Sequence, residues 1–240
     1  MRRVLQTLDR LRAYLLEMGS LVESQMDAAM RALTERDEAR IQMVMDLEER
    51  VNSLEIELEE GVIRFLALFQ PEAEHLRTSI MIMKISNDLE RVGDHAVNIA
   101  QAAAYLLPLP PVKPLVDIPR MASIAREMLT GALDAFVHAD AEQARVILKR
   151  DDEVDALRDQ VVRELITYMV ADPRTVDRSL KLIQVSKDLE RIADLATNVA
   201  EDVVYMVEAR VVKHHFEESG EERHAAEPEP QQEDEDASDR

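Results

Sequence analysis

Two strings in this chain carry the same polar residues at the same spacing: Asp88-Leu89-Glu90-Arg91-Val92-Gly93-Asp94-His95-Ala96-Val97-Asn98-Ile99-Ala100 and Asp188-Leu189-Glu190-Arg191-Ile192-Ala193-Asp194-Leu195-Ala196-Thr197-Asn198-Val199-Ala200. Glu90 and Asp94, like Glu190 and Asp194, stand four residues apart, which on a helix stacks one carboxylate a turn above the other. Like charges so placed repel unless a cation sits between them, so the pair suits a hard metal ion better than a bare helix. Asn98 and Asn198 extend each pair by one more turn. Glu90, Asp94 and Asn98 fall within a sector of ~80°, roughly opposite the apolar stripe, and are expected to form an oxygen-bearing ridge facing away from the bundle core. Oxygen donors without Cys and with few His favour Mg, Mn, Ca or oxygen-ligated Fe over structural Zn. The expected cofactor is therefore a divalent or ferric ion (Mg, Mn, Fe or Zn), its identity open.

A fainter echo lies upstream, where Glu49 and Asn52 correspond to Asp152 and Asp155. These four complete the coordination if the two helices present their polar sides to one groove. The surrounding run of Glu48, Glu49, Glu55, Glu57, Glu59 and Glu60 otherwise reads as a solvated helix face. The competing reading of the main motif is a row of surface charges, with Arg91 and Arg191 pairing to nearby acids. Internal recurrence favours function. At an offset of 100, residues 86–100 and 186–200 share 9 of 15 residues, whereas at an offset of 103 residues 26–69 and 129–172 share 6 of 44. The buried stripe drifts between copies (Val92 to Ile192, Ile99 to Val199), while Asp88, Glu90, Arg91, Asp94 and Asn98 recur unchanged. Packing alone would let the polar side drift first.

The elements that position these residues follow from periodicity. Val4, Leu8, Leu11, Leu15, Met18, Val22, Met26, Ala29 and Leu33 alternate by three and four, one stripe of a long amphipathic helix. Val44, Leu47, Val51, Leu54, Leu58, Val62 and Phe65 make a second, after a polar turn at Thr34-Glu35-Arg36-Asp37. The third helix begins near Pro71 and carries Ile82, Ile85, Leu89, Val92, Ala96, Ile99 and Ala103. Pro108-Leu109-Pro110-Pro111-Val112-Lys113-Pro114 forbids its continuation. Beyond it the pattern repeats, with helices over about 119–139, 140–170 and 174–210. The fold expected is all-α, two tandem three-helix bundles of six long helices made by internal duplication. The bundles span 1–107 and 119–212, joined by a Pro-rich connection over 108–118 and followed by a disordered acidic tail over 213–240.

Composition closes off other chemistries. Among 240 residues there is no Cys, which excludes disulfides, thiolate zinc sites, iron–sulfur clusters and a cysteine nucleophile. The net charge is −20, of which residues 217–240 contribute −9 (11 acids, 2 bases), leaving −11 for the rest. Nucleic-acid binding rests on Lys and Arg neutralising phosphates, so basic partners and cations fit better. The N-terminus has no signal-peptide core and no window reaches 18 uncharged apolar residues, which points to the cytoplasm.

The two motif strings resemble the signature segments of the PhoU family, and Asp172-Pro173-Arg174-Thr175 resembles the break before the second. The likeness covers about residues 1–212. It implies a cytoplasmic, usually dimeric all-α protein that restrains phosphate uptake and phosphate-starvation signalling between the phosphate ABC transporter, through its ATPase (PstB-like), and its sensor histidine kinase (PhoR-like). Such a protein reaches the membrane through its partners only. The family's Glu/Asp-x-x-x-Asp metal motifs carry over to Glu90 with Asp94 and Glu190 with Asp194. Ala193 and Leu195 depart from the family's common Gly and His, which sets the two sites apart.

No catalytic constellation accompanies these motifs: no Gly-rich phosphate loop, and no Ser or Lys beside a base. The chain is expected not to be an enzyme. A ferritin-type di-metal oxidase would need paired Glu-x-x-His motifs inside a bundle, and within the expected helices only Glu72 with His75 fits that spacing. A helical scaffold without a phosphate role, whose 12 Met fill core gaps, is the remaining alternative. His95, opposite Leu195, reads as a surface or packing histidine, and His214 and His215 are assigned nothing.

Overall fold

The computed structural model describes residues 2–210, so the expected acidic tail, His214 and His215 lie outside the described residues. Seven α-helices run in order: α1 (Arg2–Thr34), α2 (Glu38–Phe69), α3 (Ala73–Leu106), α4 (Asp117–His138), α5 (Ala141–Leu148), α6 (Asp151–Ala171) and α7 (Val176–Glu208), with a 3-10 turn at Pro173–Thr175. There is no strand among the described residues.

The boundaries follow from local chemistry. Asp37 caps α2, its carboxylate accepting from the Ala39 amide at 3.0 Å, and Asp140 caps α5 from the Gln143 amide at 3.0 Å. Helices α2, α4 and α7 each end on a left-handed residue: Gln70 (φ 45°), Ala139 (φ 51°) and Ala209 (φ 56°). Asp172 caps the 3-10 turn that opens at Pro173, as the Pro break requires.

One expectation is corrected. The helix over 140–170 is not continuous: it breaks at Lys149 and Arg150 into α5 and α6. Asp151, Asp152 and Glu153 follow at once. Three consecutive acids repel within a helix but are favoured in a first turn, where unpaired N–H groups concentrate positive potential. The break thus gives the second bundle a helix start where the first has an unbroken α2.

The apolar stripes are buried where periodicity placed them. Leu15, Met18 and Val22 of α1 meet Val51, Leu54 and Leu58 of α2 and Ile82, Ile85 and Leu89 of α3, all shut off from solvent. Helices α4 to α7 repeat this arrangement. The bundles join along α3 against α7 and α1 against α4. The α3–α7 packing is antiparallel, since Arg77 donates to the Met206 carbonyl at 3.4 Å while Lys181 lies over the Tyr105 ring 5.4 Å from its centroid. On the other seam α1 approaches α4 so closely that a Cβ on Gly19 would sit 2.7 Å from Leu133.

Candidate metal centre

The carboxylates of α3 do not form a ridge opposite the core. Glu90 is half-buried at the rim of the groove between α3 and α2, Asp94 is exposed, and Asn98 turns toward α7. Gly93, between them, faces the bundle interior: a Cβ there would lie 3.0 Å from Glu48 Oε2 and 3.1 Å from Gln25 Oε1. The sequence thus selects Gly where α3 must admit two polar side chains from its neighbours.

The partners on α2 are Glu48 and Glu55, not Glu49 and Asn52, which are exposed. The reason is helical phase. Glu48 is four residues after buried Val44 and three before buried Val51, so it flanks the stripe; Glu55 bears the same relation to Val51 and Leu58. Glu49 and Asn52 lie further round toward solvent. Burial pushes Glu90 up to about 7, reinforced by the negative charges of Asp94, Glu55 and Glu48. Arg91 offsets this little, because its guanidinium reaches for Asp88 at 3.4 Å. Among the described residues no ion pair reaches Glu48, Glu55, Glu90 or Asp94.

Gln25 of α1 completes the region. It is wholly buried, and its amide donates to Glu48 Oε2 at 2.7 Å and weakly, at 3.4 Å, to the Val44 and Gly93 carbonyls. Its Oε1 has no hydrogen-bond partner among the described residues. Sequence reasoning missed Gln25 because it sits on an apolar stripe; a lone amide on such a stripe, in register with a Gly on another helix, was the available signal.

In the second bundle Asp151 takes the place of Glu48, and Asp155, Glu190 and Asp194 join it, while Asp152 and Asn198 are exposed. Burial pushes Asp151 up to about 6, with the charges of Asp194, Asp155, Glu190 and Asp152 adding to it. Two guanidinium groups enter this cluster. Arg158 donates to Glu190 at 3.2 Å and lies 3.7 Å from Asp155, and Arg191 donates to Asp194 at 2.8 Å and lies 3.6 Å from Glu190. Burial still raises Glu190, but the two arginines oppose the effect.

These oxygen donors suit a hard cation in chemistry. Among the described residues, however, no three His, Cys, Asp or Glu side chains already stand in a metal-holding arrangement. Binding would need rotation of the flexible Glu side chains. Glu72, with His75, lies at the exposed start of α3, outside any bundle core. His95 has a defined role: its Nδ1 is 2.9 Å from Asp188 Oδ1 across the α3–α7 seam, where Asn98 also donates at 3.4 Å.

Known proteins share both the repeat and the fold. The PhoU domain matches twice, over residues 15–103 and 118–203. A phosphate-specific transport system accessory protein PhoU homolog of Aquifex aeolicus is 39% identical over 220 residues, 91% of this chain and 100% of that protein. The one of Pseudomonas putida is 39% identical over 86% of this chain and 81% of its own length. The crystal structure of PhoU from Pseudomonas aeruginosa superposes with a TM-score of 0.83 at 38% identity, covering 85% of this chain and 99% of that one. That of the phosphate transport system regulatory protein PhoU from Streptococcus pneumoniae gives 0.80 at 27% identity, over 88% and 100%. Each is named as PhoU or as an accessory or regulatory protein rather than as an enzyme. With the domain present in both halves and relatives matched along nearly their whole length, the chain belongs to the PhoU family.

Proposed function

We propose that this chain is a non-catalytic accessory regulator of phosphate transport. It acts in the cytoplasm as a homodimer and restrains phosphate uptake and phosphate-starvation signalling by standing between the ATPase of the phosphate ABC transporter and the sensor histidine kinase. The observation that carries this reading is end-to-end similarity to a protein named for that transport system, matched over 100% of its length. Two further features support it. No helix among the described residues is long and apolar enough to cross a membrane, so the membrane would be reached through the transporter. The net charge of −20 suits basic protein surfaces and opposes nucleic-acid phosphates.

Within this role the carboxylate clusters are cation sites at a docking surface. Glu48, Glu55, Glu90 and Asp94 would hold a divalent or ferric ion in the first bundle, and Asp151, Asp155, Glu190 and Asp194 form the acidic cluster of the second, with Asp155 at the position of Asn52. A bound cation supplies positive charge at a rim that is otherwise anionic, so that an acidic partner group can approach it. Gln25 holds Glu48 toward α3, and Gly93 leaves room for both.

The test is genetic. Deleting the gene should leave phosphate uptake and a phosphate-starvation reporter high in phosphate-rich medium, with repression restored by the full chain. Repression that persists unchanged after deletion would rule the regulator out. Pull-down of the transporter ATPase and the histidine kinase with the tagged chain tests the bridge.

A further inference from the structure

The two carboxylate clusters differ in where their charges stand: Asn52 of the first is Asp155 in the second, and Glu55 of the first is Arg158. At the offset of 103 that aligns α2 with α5 and α6, Glu48 corresponds to Asp151, Glu55 to Arg158 and Gln25 to Met128. The buried positions confirm this register: Val51, Leu54, Leu58 and Val62 fall on Val154, Leu157, Val161 and Leu165, each buried. A carboxylate at the mouth of the first site is therefore a guanidinium at the mouth of the second.

We propose that the two sites are not equivalent: the first takes a divalent cation from solution, and in the second the Arg158 guanidinium is the built-in cation, so that each chain holds one strongly bound ion. This rests on the cation reading above. Arg158 bonds Glu190 at 3.2 Å and lies 3.7 Å from Asp155, so it already engages two of the four acids an incoming ion would need, while Arg191 holds a third, Asp194, at 2.8 Å. A guanidinium keeps its charge at any physiological pH, so an ion entering there must displace it and face its repulsion. Among the described residues no guanidinium guards the first site in this way, since Arg91 is drawn off to Asp88 and Arg50 to Glu17 at 2.8 Å.

An independent observation marks the first site as the ligand-binding one. The wholly buried Gln25 brings an oxygen without a hydrogen-bond partner to within 3.1 Å of the Cβ position of Gly93, beside Glu48. A buried amide oxygen left so is costly unless something positive satisfies it. Met128 offers no such oxygen to the second cluster, and Ala193 fills the space that Gly93 leaves open.

The experiment is Mn²⁺ binding to the full chain, with free Mn²⁺ read by electron paramagnetic resonance and folding checked by circular dichroism. Weak uptake by the acidic run at 227–236 is common to all variants and cancels in the differences. The wild type should bind one ion tightly. Glu90→Gln should weaken it at least tenfold, Glu190→Gln should leave it within about twofold, and Arg158→Glu should add a second ion. Should Arg158→Glu fail to fold, Arg158→Met should still raise Mn²⁺ affinity at the second site. Two equivalent ions in the wild type, a selective loss on Glu190→Gln, or no gain on freeing the second site would overturn this asymmetry while leaving the cation reading intact. No tight binding by the wild type would overturn both.

Discussion

Glu55 and Arg158 occupy equivalent places on the second helix of the two bundles, yet one adds to a crowd of carboxylates and the other neutralises it. In the first bundle Glu90 is raised to about 7 by burial and three acidic neighbours; in the second, Glu190 is also raised, but with Arg191 and Arg158 opposing. The same contrast recurs at the seam between bundles. His95 of α3 meets Asp188 of α7, but its counterpart Leu195 offers Asp88 nothing, and burial together with Asp202 pushes Asp88 up to about 6. Duplication kept the acidic pairs of α3 and α7, and let the residues that face them, Glu55 against Arg158, Gln25 against Met128 and His95 against Leu195, diverge.

If the two bundles share one packing frame, its core should be equally costly to disturb in either half. Leu89 and Leu189 are both fully buried, and Leu→Ala at either should cost about 2–5 kcal/mol in urea or thermal unfolding. Values differing by more than about 2 kcal/mol would show that the halves are not mechanically alike. A smaller effect is expected at the seam. His95→Leu makes α3 resemble α7 and strips buried Asp188 of its nearest partner, at about 1–3 kcal/mol; Leu195 substituted by Ala instead should show an ordinary core loss insensitive to Asp188.

The electrostatic contrast is read by pH in metal-free protein. Glu90 ordinarily titrates at 4.5 and in the fold at about 7, so the folded state holds the proton longer than the unfolded one. Below about 4.5 this costs nothing; between about 4.5 and 7 stability falls as pH rises, and above 7 the full penalty remains. The gain in Tm on Glu90→Gln should therefore be absent near pH 4 and grow toward pH 7.5, with a smaller trend for Glu190→Gln. Smallest of all, Arg191→Ala removes an exposed pair to Asp194 and should change stability by under about 0.5 kcal/mol.

The stripes and the Pro-rich connection announced the helices and the duplication, and the recurrence of Glu90, Asp94, Glu190 and Asp194 singled out two acidic helices, around which the fold gathers further acids. Asn98 does not extend the row of Glu90 and Asp94 because it faces α7, and no pattern within a single helix tells which polar residue meets a different bundle; His95 is the packing histidine expected, at that same seam. Glu48 was passed over for Glu49, one residue away, because the phase of α2 against α3 is set by packing. The broken helix at Lys149 and Arg150 has no Gly or Pro to announce it.

By itself the sequence determined the all-α class, the two repeats and the acidic pairs on their third helices, because helical periodicity and repetition are written along one chain. Only the tertiary structure decided that Gln25, Glu48 and Gly93 meet, that His95 bridges to Asp188, and that Arg158 enters the second cluster. Those meetings join residues far apart in the chain, and their distances depend on how helices rotate and pack, which side-chain pattern within any one helix leaves free.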